Sequence, residues 1–314
     1  MPPRVDAALV GTLAALVSLA PLPCVSLLAS GFRTKPDGVP ETYAVTTLRR
    51  LPHTGEPWTQ GLEFTAGGEL VETSGDYPPG VGTFVRIVDP ETGGEVRRIT
   101  DGLVGSGNGS AGYFLEGISE MAGHWFASTY LNSVVLEYSD NFTFLGRRPF
   151  PWEGWGLAYS RESSTFLATN GSEHLLYLDP ATFQAVETKV ATCLGKRVAG
   201  LNELELVEDL LGGGPALVAN VINTRLVLIL SPATARCTGV FLLDGPDMEP
   251  VKSFEPLGYH VANGIAYDRR RGTFFVTGKN WRSLFEVRLD EAPGQRRALA
   301  ALERVLVGAG PAPA

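Results

Sequence analysis

The chain has 314 residues, of which 44% are hydrophobic and 19% charged, with 37 glycines and 22 prolines. Short β-branched and aromatic runs separated by turn formers point to an all-β fold with a large core. A net charge of -8 with no basic stripe argues against nucleic acid, which needs Lys and Arg clustered along one face. The basic runs Arg97-Arg98, Arg147-Arg148 and Arg269-Arg270-Arg271 are expected on solvated turns.

Residues 1–30 carry one early positive side chain, Arg4, and no charge from Ala7 to Ser30. That composition is a secretory signal peptide or a signal anchor. The run is long enough to span a bilayer if uncleaved, although Pro21 and Pro23 interrupt a helix. The expected location is the secretory pathway, secreted or lumenal, with membrane anchoring if the segment is retained. Residues 31–44 read as a linker. The sequons at Asn108, Asn141 and Asn170 suit such a glycoprotein. Cys24 lies in the leader; Cys193 and Cys237 lie in the folded part, either as a disulfide or as two buried thiols.

From Gln60 onward one unit recurs five times. Its cores are Gln60-Gly61-Leu62-Glu63-Phe64, Glu116-Gly117-Ile118-Ser119-Glu120, Trp155-Gly156-Leu157-Ala158-Tyr159, Asn202-Glu203-Leu204-Glu205-Leu206 and Asn263-Gly264-Ile265-Ala266-Tyr267. They are spaced by about fifty residues, within the propeller range. Each core is followed by further apolar runs, such as Ser164 to Thr169 and His174 to Asp179, and by turns such as Asp89-Pro90-Glu91-Thr92-Gly93. Four short strands per repeat describe a propeller blade, so the expected fold is a five-bladed β-propeller. Since a single blade cannot bury both faces of its sheet, residues 45–290 form one domain. An open solenoid is the alternative, but no polar capping repeat stands at either end. Residues 102–112 and 246–260 read as long surface loops, and 291–314 as a C-terminal tail.

In a propeller the first strand of each blade lines the central channel. The head positions Gln60, Glu116, Trp155, Asn202 and Asn263 should therefore converge at its mouth. Such a set of polar groups forms either a site or a self-satisfied structural cluster. Glu116 is the one carboxylate among them, and burial would raise its pKa toward the range useful for proton transfer. Lys279, at the end of a strand in the last repeat, could reach the same mouth and oppose that shift. Glu203 is expected on the opposite strand face, away from the channel. His53, His124, His174 and His260 fall at unrelated phases and are expected in loops or on the surface. No Cys/His spacing resembles a zinc site, so neither metal nor cofactor is expected.

The motifs Thr59-Gln60-Gly61-Leu62, Glu116-Gly117, Gly154-Trp155-Gly156-Leu157, Leu201-Asn202-Glu203-Leu204-Glu205, Ala219-Asn220-Val221, Asn263-Gly264-Ile265-Ala266 and Val276-Thr277-Gly278-Lys279 resemble those of the plant and bacterial glutaminyl cyclases. The resemblance covers residues 57–289 and implies a five-bladed propeller that closes an N-terminal glutamine into pyroglutamate with release of ammonia. It implies Glu116 as the essential carboxylate, and Gln60, Phe114, Trp155, Asn202 and Lys279 as pocket residues. Trp58 stands where the family usually has Phe, Tyr130 and Ile222 where it has Trp, and Leu115 where it has Gly. The aromatic wall is thus altered while the acid and amides remain.

The expected chemistry is attack of the substrate's α-amine on its own side-chain amide. Glu116 would shuttle the proton; Gln60, Asn202 and Lys279 would hold the amide; Trp58, Phe114, Tyr130 and Trp155 would fold the glutamine. Asn263 completes the substrate-binding set. Expected partners are peptides or proteins with N-terminal Gln, bound as substrates by a monomeric enzyme. The rivals are a glycosidase, which needs two carboxylates across the channel, and a non-catalytic peptide- or glycan-binding propeller.

Overall fold

The computed structural model describes residues 38–75, 82–103, 112–245, 248, 260–293 and 295–308. The leader, the Asn108 sequon and nearly all of the two long loops lie outside the described residues.

The chain begins with β1 (Glu41–Pro52), then runs through β2 (Thr59–Phe64), β3 (Leu70–Ser74), β4 (Phe84–Val88) and β5 (Glu95–Ile99). Next come β6 (Leu115–Met121), β7 (His124–Thr129), β8 (Val134–Ser139) and β9 (Phe144–Pro149), followed by β10 (Leu157–Ser160), β11 (Thr165–Ala168), β12 (His174–Leu178) and β13 (Ala185–Val190). A small hairpin, β14 (Thr192–Cys193) and β15 (Lys196–Arg197), precedes β16 (Leu201–Val207), β17 (Ala216–Val221), β18 (Leu226–Leu230) and β19 (Cys237–Leu242). Last are β20 (Val261–Asp268), β21 (Thr273–Lys279), β22 (Ser283–Glu291) and one helix, α1 (Arg296–Gly308).

Among the described residues the fold is all-β apart from α1. β2 to β5, β6 to β9 and β10 to β13 are four-stranded antiparallel sheets in chain order. The remaining large sheet has eight strands, ordered β16-β17-β18-β19-β1-β22-β21-β20. Burial grades across each four-strand run: β3 and β4 are wholly buried, whereas β5 exposes four of its five residues. The continuous apolar runs of the sequence are thus strands covered on both faces, and the polar ones are the outermost strands. Arg97-Arg98 and Arg147-Arg148 sit on β5 and β9 rather than on turns; only Arg269 to Arg271 follow the expectation.

The five cores meet in a closed cycle. β2 packs beside β6, β6 beside β10, β10 beside β16, β16 beside β20, and β20 returns to β2. Three glycines permit this approach. A Cβ on Gly61 would lie 2.8 Å from the Ile118 N, one on Gly117 2.4 Å from the Leu157 N, and one on Gly156 2.2 Å from the Asn202 O. These obstacles are backbone of the next core and have no rotamer to yield with. We expect Gly117→Ala to destabilise the protein by about 3 kcal/mol, as overpacking does in a close-packed interior. Urea unfolding of the variant checks this; an unchanged midpoint would show that the neighbouring strands can part.

Four inner strands also carry a bulge at the core's head, between Thr59 and Gly61, Leu115 and Ile118, Leu201 and Leu204, and Ala262 and Ile265. The bulge overturns the expectation for Glu203. Strict alternation would turn it away from Asn202's face, but two successive residues of a bulge escape that rule. Glu203 reaches across the neighbouring cores, accepting from the Ile265 N–H at 2.8 Å and the Leu62 N–H at 3.3 Å.

Two further expectations are corrected. The domain does not open at residue 45: β1 begins at Glu41, pairs parallel with β19 through residues 41–43 and antiparallel with β22 through Pro52, and buries Tyr43. Residues 291–314 are not simply a tail, because α1 lays Ala298, Leu302 and Leu306, a four-residue spacing, onto the core around Leu226, Leu228 and Val240. His53 lies in the loop after β1, in line with the expectation, and is buried there, its ring nitrogens 2.9 Å from the Trp281 O and 3.0 Å from Glu72. Cys193 and Cys237 are both buried free thiols, and burial, reinforced by Cys193, pushes the Cys237 thiol well up.

Candidate active site

Glu116 heads β6 and is buried, with 4% of its surface exposed. Its backbone carbonyl accepts from the Thr73 hydroxyl of the preceding sheet at 2.5 Å, and the following Gly117 N–H donates to the Trp155 O at 2.7 Å. The backbone at Glu116 is therefore held between β3 of the preceding sheet and the next core. The Gln60 side-chain amide donates to Glu116 Oε1 at 2.9 Å, and Asn263 Nδ2 donates to Gln60 Oε1 at 3.1 Å and to the Thr59 O at 3.0 Å. Asn263 is wholly buried behind Gln60 and fixes which way its amide points. Asn202, also buried, has its backbone carbonyl bonded by the Thr169 hydroxyl. Its side-chain Oδ1, and that of Asn263, are buried without a partner among the described residues.

Lys279 ends β21 and is buried, its ammonium 5.8 Å from the centre of the Trp58 ring. Burial draws Glu116 and Lys279 toward their neutral forms. Desolvation raises the Glu116 carboxyl well above the usual carboxylate range; the Lys279 charge opposes this and Glu153 assists it. Lys279 is lowered to about 8 by desolvation, against the pull of Glu116. A desolvated carboxyl beside a cation and an amide donor is equipped for proton transfer.

The aromatic side chains form the outer wall. Phe114 is buried, whereas Trp58, Tyr130 and Trp155 are half-buried and open to the site's rim. Phe114 and Tyr130 lie with ring centres 5.8 Å apart, tied by a Tyr130 N–H to Phe114 O bond of 3.0 Å. Two glycines seat the rings: a Cβ on Gly75 would lie 2.3 Å from Phe114, and one on Gly171 would lie 2.6 Å from Trp155. These glycines and Glu153 stand off the repeat's head position, so the repeat does not point to them.

A separate cavity of about 300 Å³ opens at the other ends of the inner strands, lined by Glu63, Glu120, Glu205 and Asp268 with Arg161 and Arg269. None of the residues above lines it. Desolvation raises Glu63 there to about 8.

The family model described as glutamine cyclotransferase matches residues 20–289. The chain belongs to the glutamine cyclotransferase family. It is 28% identical over 252 residues to the glutaminyl-peptide cyclotransferase of Arabidopsis thaliana, covering 79% of this chain and 72% of that protein. The crystal structure of the Myxococcus xanthus glutaminyl cyclase superposes with a TM-score of 0.65 at 26% identity, over 81% of this chain and 99% of that one. As a glutamine cyclotransferase the protein acts on glutamine. The cluster of Glu116, Gln60, Asn263 and Lys279 behind an aromatic rim suits that substrate, which carries both a carboxamide and an aliphatic stem.

Proposed function

We propose that the protein converts the N-terminal glutamine of peptides and proteins to pyroglutamate and ammonia, an acyl transfer of the aminoacyltransferase class, on a five-bladed propeller. In this reading the three four-stranded sheets are blades, and the eight-stranded sheet is two blades, β16 to β19 and β20 to β22 with β1, joined edge to edge. The observation that carries the function is Glu116: a desolvated carboxyl bonded at 2.9 Å by an amide that is itself held in place.

The reaction moves two protons from the α-nitrogen to the departing nitrogen. The substrate arrives as an α-ammonium with an ordinary pKa of about 7.7–8.0, and burial strengthens the hold of the Glu116 carboxylate on a proton. Glu116 as carboxylate takes one proton, freeing the amine to attack the side-chain amide carbon. It then gives that proton to the leaving nitrogen and takes the second from the new ring nitrogen, passing it on as ammonia departs as ammonium. Gln60, Asn202 and Lys279 donate toward the amide oxygen as it gains charge. Trp58, Phe114, Tyr130 and Trp155 hold the side chain folded. The productive complex holds one proton between Glu116 and the amine, so the pH profile is a bell that falls when both or neither carry one.

Incubating the purified protein with a Gln-initiated peptide should release one ammonia per peptide, while the Nα-acetylated peptide should release none. Peptide binding without ammonia would instead favour the non-catalytic propeller. The uncharged leader and the sequons support a secretory location, with the leader cleaved or kept as an anchor. Because β1 completes the last sheet within one chain, a monomer suffices.

A further inference from the structure

One charged group at the rim has no role in the proton transfers above. Glu153, half-buried, precedes β10, and the Trp155 indole N–H donates to its Oε1 at 3.0 Å. Gly154 between them is pinned to the end of β7, its N–H 3.1 Å from both the Thr129 and Tyr130 carbonyls; a Cβ there would lie 2.5 Å from the Thr129 O. Trp155 is fixed on its other sides as well. Its N–H donates to the Thr169 O at 3.1 Å, its carbonyl accepts from Gly117, and its ring rests on Gly171. The bond to Glu153 adds a restraint on the rotation of the ring about that frame.

The charges are informative too. Glu116 is faced by Lys279 from β21, by the neutral Gln60 from β2 and by Glu153. A substrate that enters as an ammonium meets the like charge of Lys279, and Glu153 brings the opposite charge to the same mouth.

We propose that Glu153 is a positioning and specificity residue of this site, fixing the Trp155 indole and recognising the free α-ammonium of the substrate against N-terminally blocked chains. This rests on the cyclase reading of Glu116, and two measurements separate them. The first needs no turnover: binding of a Gln-initiated peptide and its Nα-acetyl form to Glu116→Gln. The free form should bind about tenfold more tightly, as expected of one partly desolvated charge pair, and adding Glu153→Gln should bring the two forms together. An unchanged preference in the double variant overturns the proposal.

The second is steady-state kinetics. Glu153→Gln keeps an acceptor for the indole, so kcat should hold within about threefold while KM rises about tenfold. The limb of the pH profile that stays put when the substrate's amine is varied should move to lower pH, because a negative charge beside Glu116 is gone. Glu153→Ala, which also frees the ring, should lose kcat as well. A Gln variant with parental KM and an unmoved limb, beside a damaged Ala variant, would leave Glu153 a structural prop and overturn its recognition of the ammonium. If the parent releases no ammonia but the binding preference and its loss are seen, the cyclase reading fails and the ammonium site stands.

Discussion

Glu116→Gln should release ammonia from a Gln-initiated peptide about a thousandfold more slowly than the parent, within the range by which positioned acid–base groups accelerate proton transfer. The replacement has the same shape, and its carbonyl oxygen can still accept from Gln60, so the 2.9 Å contact that holds the group survives. What disappears is the capacity to take a proton from one nitrogen and return it to the other. Lys279 then loses the neighbour that raises its pKa, falls below about 8, and stays buried partly neutral instead of as an uncompensated cation. The variant should therefore fold. Ammonia release, measured beside a thermal melt, decides the matter: parental turnover in a folded variant removes Glu116 from the shuttle.

Glu203→Ala should cost roughly 4 kcal/mol of stability without touching the site directly, since each buried donor left without an acceptor costs about 1–3 kcal/mol. The donors are the backbone N–H groups of Leu62 and Ile265, on the two cores that Glu203 bridges. Glu203→Gln keeps one acceptor oxygen and turns an NH₂ toward the second donor, so its loss should be about half as large. The pH dependence distinguishes this role from simple packing. Desolvation, helped by Glu205 and Glu63, raises the Glu203 carboxyl well above its ordinary value. A carboxyl raised in the folded state contributes stability fully present below its unfolded pKa of about 4.3, and loses it as pH climbs through the folded one. Glu63, at about 8, adds to the same trend. The parent should thus weaken in urea from mildly acidic to alkaline pH, and the Gln variant less steeply. An equal slope in both would show that Glu203 does not titrate there.

The repeat made much of the site legible. Gln60, Glu116 and Asn263 occupy one phase of a period near fifty residues, and the structure joins them through hydrogen bonds of 2.9 and 3.1 Å. Neither Phe114 nor Lys279 stands at the head of a core: Phe114 is pointed to by the family resemblance alone, Lys279 by its place at a strand end in the last repeat as well. Glu203 was misread because alternation assumes an unbroken ladder, and a bulge leaves no mark in a hydrophobic pattern. Glu153 was missed because it precedes the strand and acts through Trp155. β1 went partly unrecognised because its partners lie at the far end of the chain, and a strand such as Glu41 to Pro52, with charged and polar side chains on its outer face, has little local signature. α1 was passed over because its apolar stripe is mostly alanine and leucine interleaved with arginine.

The placement of β1 between β19 and β22 has a bearing on how the molecule is made. Thr46 hydrogen-bonds Asp290, 244 residues away, so β1 meets its short parallel partner β19 late and has no antiparallel partner until β22 is synthesised. Until then its backbone groups must stay hydrated, and the cycle of inner strands stands open where β20 should meet β2. Assembly is slow for such distant pairing, and it is also self-checking: a chain cut short before Ser283 deprives β1 of its antiparallel neighbour and strands an unpaired edge, the kind of defect that quality control and aggregation both recognise.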